Sequence, residues 1–360
     1  MSTTTKSQNN LIRGEKIKMN KTWKKLLLGL GTLALTVGLI GCSNDSTDGA
    51  ADGGDPDQQT VYFLTKILGN QYWAVVEQGA RDAAKELGVN LVVTGLATEA
   101  EVEKQVQQLQ DAVSAQADGI AIGPVDSTAM AGPVQEAFGS GIPIVIVDTM
   151  INTDDYSVAL MTDNVEAGRL AAAEMIRLLK ENGVSETEEA QVAVQIGSSG
   201  SQTIIDRLAG FNEAWDATAP DSWTVLNDDV KVNDGDITKA VGFTQDFLTT
   251  YPNLKGAFGP NNGSTVGFVT GIQEANRSDV ALVGFDFSEE IADMINTGNF
   301  TVSTVVQRQY LMGYEGVKQA IALANGEEVE EKMIDTGTLI VNIDNIDTDE
   351  VQDIINPAGN

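Results

Sequence analysis

The sequence contains no histidine and one cysteine in 360 residues. The first absence excludes Ser-His-Asp and Cys-His catalysis, His-ligated zinc and a histidine pH switch. The second excludes an internal disulfide, and leaves no thiol nucleophile once Cys42 is committed elsewhere. Basic residues are scarce as well: 22 Lys and Arg stand against 52 Asp and Glu. Residues 1–42 hold seven of those bases and one of the acids, which leaves 15 against 51 and a net charge of −36 beyond Cys42. Such a chain repels the phosphates of nucleic acid, which need a basic surface, and anionic lipid. The surface is self-repelling and soluble, and suits a salty or alkaline medium that screens it.

What is present starts with a border. In "GLIGCSNDSTDGAADGGDPD" (38–57) an apolar run stops at Cys42 and a Ser, Asp and Gly string follows. Lys21, Lys24 and Lys25 precede the run, and Leu26 to Ile40 is uncharged over 15 residues. A membrane span needs roughly 20 residues; the pattern fits the h-region of a signal peptide. Leu39-Ile40-Gly41-Cys42 resembles a bacterial lipobox, in which the cysteine becomes the first residue and carries lipid. Two or more acyl chains hold a protein to a bilayer where one binds marginally. The alternative is a buried free cysteine closing a core element, but nothing around Cys42 supplies a core. Residues 1–18 are polar and precede a complete signal, so Met19 reads as the true start. Gly29-Leu30-Gly31 follows no strand and is not a nucleotide loop. Residues 43–59 read as a flexible acidic tether.

The remaining ~300 residues suffice for two domains of ordinary size. Short apolar runs recur: "VYFLT" (61–65), "NLVVT" (90–94), "GIAIG" (119–123), "IPIVIVD" (142–148), "QVAVQI" (191–196), "GAFGP" (256–260) and "VALVGFD" (280–286). They lack polar alternation, as parallel strands buried on both faces do. Helical spacing lies between them: Val76, Ala80, Ala83 and Leu87, closed by Gly88; Val102, Val106, Leu109 and Val113, opened by a Thr98–Glu101 capping box; and Leu170, Ala171, Met175 and Leu178. The alternation predicts an α/β fold with doubly wound parallel sheets. Such sheets bind ligands beyond the carboxyl ends of their strands.

The residues at those ends are polar or aromatic. Lys66 and "GNQYW" (69–73) follow the first strand; Asp148 and Thr149, Asn261 and Asn262, Asp286, and Gln307 with Arg308 follow later ones. Any one of these Asx residues also suits a helix N-cap or a turn. Together, carboxylates and amides suit vicinal hydroxyls, and aromatic faces suit the C–H face of a sugar ring.

From Val61 to about Asp344 the chain resembles the type I periplasmic binding proteins of sugar ABC transporters, in their ribose-binding branch. The segments that carry the resemblance are "NQYWAVVEQGARDAAKELGVNLVV", "ADGIAIGPVDSTAM", "GIPIVIVDT", "TDNVEAGRLAA", "DRLAGF", "LVGFD" and "VVQRQYLMGYEGVK". The resemblance implies two doubly wound (Rossmann-like) domains joined by three crossovers that act as a hinge, with the ligand cleft between them. Carried onto this chain, the first domain is 60–161 plus 308–335, the second 162–306 plus 336–349, and 350–360 is a tail. It implies ligand contacts at Thr65, Asn70, Tyr72, Trp73, Asp148, Asn261, Asp286 and Gln307. Thr149 stands where the branch has an arginine. A second ligand arginine falls at Ile205, and a third aromatic near Gly235. Arg207, on a helix, reads as structural, and Lys66 or Arg308 remains to supply donors. The departures leave a sugar or polyol as the ligand class and do not support ribose.

The implied role is a lipid-anchored, extracytoplasmic substrate-binding protein of an ABC importer. Its partners would be a small sugar or polyol and the permease's transmembrane subunits, with the membrane touched through the anchor only. A monomer is expected, with no nucleic acid, no cofactor, no metal and no catalysis. The alternative role is a sensory protein presenting its ligand-bound form to a chemoreceptor or sensor kinase. "GSSGSQ" (197–202) offers backbone amides to an anion. "NDGD" (233–236) and "DNIDTDE" (344–350) are acidic but miss the calcium-loop pattern. Asp148 and Asp286 as a glycosidase pair is a further alternative that nothing else supports. Without histidine, affinity is expected to be flat from pH 6 to 9. Cys42→Ser should move the protein from the membrane to the soluble fraction; retention in detergent-sensitive form would contradict the anchor.

Overall fold

The computed structural model describes residues 58–357. The signal, Cys42 and nearly all of the tether lie outside the described residues. No helix among the described residues is long and apolar enough to cross a membrane.

The chain runs β1 (Thr60–Ile67), α1 (Gln71–Leu87), β2 (Asn90–Leu96), α2 (Val102–Ser114), β3 (Gly119–Ile122), α3 (Ala131–Gly139), β4 (Ile144–Val147) and β5 (Val158–Met161). It continues as α4 (Asn164–Glu181), β6 (Ala190–Ile196), α5 (Gln202–Thr218), β7 (Trp223–Val225), β8 (Lys231–Val232), α6 (Ile237–Thr250), β9 (Leu254–Gly259), α7 (Asn262–Glu274), β10 (Ala281–Phe285), α8 (Glu289–Thr297) and β11 (Val302–Gln307). It ends with α9 (Gln309–Ala324), β12 (Met333–Asp335), β13 (Thr338–Val341) and α10 (Asp349–Ile355).

Two sheets result. The first has the order β2-β1-β3-β4-β5-β12 and is parallel throughout. The second has the order β7-β6-β9-β10-β11-β13, with β8 also on β6 and only β13 antiparallel. Every residue of β3, β4 and β10 is buried, because helices cover both faces of each sheet. Apolar cores accordingly lie on both sides of each sheet. The fold is two α/β domains, each a doubly wound sheet. The chain changes sheet three times: between Met161 and Asn164, after Gln307, and between Asp335 and Thr338.

Each sheet reverses its winding at one place, between β1 and β3 in the first and between β6 and β9 in the second. There two neighbouring strands send their following helices to opposite faces, which opens a crevice at their carboxyl ends. The two crevices face one another.

Local details differ from expectation in three places. Gly88 does close α1 in the left-handed conformation, but the capping box at α2 forms by half. Glu101 reaches back to the Ala97 and Thr98 amides, and α2 has no side-chain cap. The expected tail from 350 is largely α10, held by buried Val351 and Ile354. The short strands β5, β7, β8, β12 and β13 have no counterpart among the predicted runs.

The same helix contact recurs in both lobes. α1 crosses α9, and α4 crosses α5, at backbone distance. A β-carbon on Gly313 of α9 would lie 1.8 Å from the Val76 carbonyl oxygen, and one on Gly210 of α5 would lie 1.9 Å from that of Val165. Backbone cannot yield as a side chain does, so the helices must separate. Gly313→Ala and Gly210→Ala should each cost about 1–3 kcal/mol, the usual range for overpacking. Calorimetry should show this as a lower melting temperature, by about 2–4 °C per kcal/mol; an unchanged transition would contradict the close crossings.

Candidate functional site

The facing crevices form one cleft lined by Lys66, Ile67, Asn70, Tyr72, Trp73, Glu99 and Asp148 from the first lobe. Thr203, Ile204, Arg207, Gly235, Asn261, Asn262, Gly263 and Asp286 line it from the second. Its free volume is about 30 Å³, and hydrogen bonds bridge it. Asn70 Nδ2 donates to Asn262 Oδ1 at 3.0 Å, the Ser127 amide to the Gly200 carbonyl at 2.9 Å, and the Glu99 amide to the Asp234 carbonyl at 3.0 Å.

Asp148 follows β4 and Asp286 follows β10, so each lobe contributes one carboxylate from a strand end. Both take left-handed backbone, at φ 66° and 69°. That conformation costs a non-glycine residue of order 1 kcal/mol or more, and recurs where side chains must be aimed. Asp148 accepts from Tyr72 Oη at 2.6 Å and Thr149 Oγ1 at 2.7 Å, and lies 3.3 Å from Lys66 Nζ. Burial pushes its carboxyl up, yet Lys66, Arg207 and these two hydrogen bonds outweigh burial and hold it below the usual range. Asp286 accepts from Gln307 Nε2 at 2.7 Å. Here burial dominates over Arg207, Gln307 and the Asn262 amide, and the carboxyl is pushed up to about 6.

Asn70 caps α1 by accepting from the Trp73 amide. Its amide group thereby reaches the cleft, and in the first turn of α1 Tyr72 and Trp73 stand edge-to-face, ring centres 5.3 Å apart. Asn261 Oδ1 accepts from Ser264 Oγ at 2.5 Å. Gln307 bridges Thr162 and Asp286 at the second crossover, behind the lining. Thr149 also stands behind it and carries the Lys66 ammonium on its hydroxyl at 2.5 Å.

Two expectations are corrected. Thr65 does not face the cleft: its hydroxyl turns to the Ile67 carbonyl at 3.3 Å. A register shift between Leu64 and Ile67 breaks the alternation of β1 and brings Lys66 and Ile67 to the lining instead. Arg207, read from the sequence as structural, lines the cleft. α5 begins at the cleft edge, so Thr203, Ile204 and Arg207 share its inward face, while Ile205 is 46% exposed. Arg207 donates to Asn164 Oδ1 at 2.9 Å and the Pro260 carbonyl at 2.7 Å, and its guanidinium carbon lies 4.1 Å from the Phe285 ring centre. Its Nη2 has no partner among the described residues. Glu99, which no motif marked, is buried in the lining, and Arg308 stays out of it.

The loop 197–202 is not an open anion cradle, since the Gln202 amide donates to Ser127 Oγ at 2.9 Å. Asp234 pairs with Lys239, and Asp236 caps α6. Among the described residues no group of three or more carboxylates converges on a metal position.

The family model described as periplasmic binding protein domain matches residues 61–328. The chain belongs to the periplasmic binding protein family. Among its relatives is the ribose import binding protein of Escherichia coli (strain K12), 28% identical over 275 residues, 76% of this chain and 88% of that one. The D-allose-binding periplasmic protein of the same strain is 28% identical over 271 residues, 71% of this chain and 81% of that one. Among solved structures, a carbohydrate transporter solute binding protein from Agrobacterium radiobacter in complex with D-arabinose has a TM-score of 0.79 and 30% identity, covering 84% of this chain and 100% of that chain. One from Agrobacterium vitis with bound D-fucose has a TM-score of 0.75 and 30% identity, covering 82% and 99%.

In this periplasmic binding protein the pH response has a source other than histidine. A carboxyl raised in the folded state gives stability that is full below its free value, 3.8, and is lost as pH rises through about 6. At neutral pH the buried Asp286 charge therefore costs of order 3 kcal/mol. Asp286→Asn should melt above the parent at pH 7.5, and the gap should close by about pH 4. A gap independent of pH would show that Asp286 titrates as a free carboxyl does.

Proposed function

We propose that this chain is a lipid-anchored, extracytoplasmic substrate-binding protein of an ABC importer, and that it captures a monosaccharide or related polyol between its lobes for delivery to the permease. The observation that carries this is the pairing of strand-end aspartates. Asp148 and Asp286 come from opposite lobes in the same left-handed conformation and enter one cleft. Beside them stand two aromatic rings, three asparagines and an arginine with an open donor. Ionised carboxylates accept from vicinal hydroxyls, amides and the guanidinium donate to hydroxyl oxygens, and the indole packs on C–H. Nothing in this set is a nucleophile with a base beside it, so the reading is capture without chemistry. The named ligands of the relatives, ribose, allose, arabinose and fucose, support the same class.

The three crossovers supply the motion. A few residues at each can absorb a hinge rotation, and a ligand held by both lobes favours the closed arrangement by its differential affinity. The lipid on Cys42 would keep the body near its permease.

Full-length protein in detergent should be screened against monosaccharides and polyols by thermal shift, with hits measured by calorimetry. A ligand at a hundredfold excess over Kd stabilises by about 2.7 kcal/mol. Asp148→Asn and Asp286→Asn should each cost about 1.5–3 kcal/mol of binding, against about 0.5–1.5 for Asn70→Ala, Asn261→Ala or Gln307→Ala. Trp73→Phe should be mild and Trp73→Ala severe. If both aspartate variants bind within about twofold of the parent, roughly 0.4 kcal/mol, the cleft is not the site.

A further inference from the structure

We propose that the ligand is a sugar or polyol bearing one cationic amine, and that Glu99 is the residue that selects it. The inference rests on the sugar-binding reading above and names the ligand class within it.

Glu99 enters from the loop between β2 and α2 and is 9% exposed. It reaches across to the second lobe, where two glycines leave room for it. A β-carbon on Gly197 would lie 2.7 Å from Glu99 Oε2, and one on Gly235 would lie 3.4 Å from its Cγ and 2.4 Å from Ile67 Cδ1. A side chain at either position would press on Glu99 or on the Ile67 beside it. Its backbone is fixed by the amide bond to Asp234, yet its carboxylate has no hydrogen-bond or ion-pair partner among the described residues. The fold therefore builds a place for this carboxylate and leaves it unused.

The charges of the lining decide what belongs there. Three carboxylates line the cleft, Asp148, Asp286 and Glu99, and two cations, Lys66 and Arg207. Lys66 is paired to Asp148 at 3.3 Å. Arg207 is fixed by Asn164 and Pro260, and Asp286 by Gln307. Glu99 is the acid left over. A carboxylate taken out of water without a counter-ion is costly, and a hydroxyl relieves it less than an ammonium does. A neutral sugar leaves that charge stranded as the lobes close. An ammonium on the ligand brings the lining to neutrality and turns the cost into attraction. Burial also pushes the Glu99 carboxyl up, with Lys66 opposing and Asp148, Asp234 and Asp286 adding to it, as expected of a group that lacks its counter-charge.

Full-length protein in detergent should be titrated at pH 7.5 by calorimetry with three matched sets. These are neutral aldohexoses, their 2-amino-2-deoxy derivatives, and the N-acetylated forms of those amines, in which the charge is gone. The tightest amine should bind about tenfold or more tightly than its neutral parent and its N-acetyl form, the scale of one charge-assisted hydrogen bond. In Glu99→Gln that preference should fall to within about threefold, and Glu99→Asp should restore part of it. The wild-type comparison decides the matter even if a variant fails to fold. A neutral parent that binds as well as its amine, or a preference unchanged in Glu99→Gln, overturns the assignment and leaves the sugar reading standing. Binding of none of the three sets overturns this inference, and if no pentose or polyol of the thermal-shift screen binds either, the sugar reading falls with it.

Discussion

The buried ion pair between Lys66 and Asp148 is the contact on which the cleft's arrangement depends. It lies within one lobe, at 3.3 Å with both side chains almost wholly buried, yet its surroundings join the two. The Lys66 ammonium also touches Ser201 Oγ of the second lobe at 3.4 Å, and Thr203 Oγ1 lies 2.9 Å from the Asp148 carbonyl. Attraction between two such charges offsets their desolvation only when the remaining donors and acceptors are met. Here Tyr72, Thr149 and Ser201 meet them. Asp148 is thereby kept ionised although buried, whereas Asp286, with an amide and no ammonium beside it, is driven toward its neutral form. Two residues that look alike by strand position and backbone conformation differ in charge behaviour because one has a lysine.

The departures from the family pattern fit together in this light. The ribose-binding branch resembled here has an arginine after its acidic residue; this chain has Thr149, and Lys66 brings a cation from β1, on the far side of β3, to the same carboxylate. Where a third aromatic is expected there is Gly235, and Ile67 with Glu99 occupies the room beside it. The cleft of this chain thus has its own set of charges, Lys66 and Arg207 against Asp148, Asp286 and Glu99.

Much of the fold was legible because its strands are buried on both faces, which writes them as unbroken apolar runs such as "IPIVIVD" and "VALVGFD". Strands of two to four residues at the sheet edges carry too little pattern, and β7, β8, β12 and β13 are illegible for that reason. In the site, the aspartates and the Asn70–Trp73 turn were legible because they follow strands directly. Thr65 failed by one residue, since the register shift at the end of β1 is set by its pairing with β2. Arg207 was discounted for lying on a helix, although its spacing from Thr203 and Ile204 could have marked a shared face. Glu99 gave no signal: in "LATEAE" it is one acid among many, and only the approach of Gly197 and Gly235 from the other lobe buries it.

The edge of the first sheet carries one more consequence. Its last strand, β12, comes from Met333–Asp335, some 170 residues after its neighbour β5, and α9 from the same late segment packs on α1. Contacts this distant in sequence are slow to form, because the loop between them must be closed first. While the chain is being made, the first lobe lacks a strand and a helix until nearly all of it has emerged from the ribosome. A chain proposed to leave the cytoplasm gains from that delay, since a lobe that cannot finish folding early stays loose enough to be threaded through a narrow export channel.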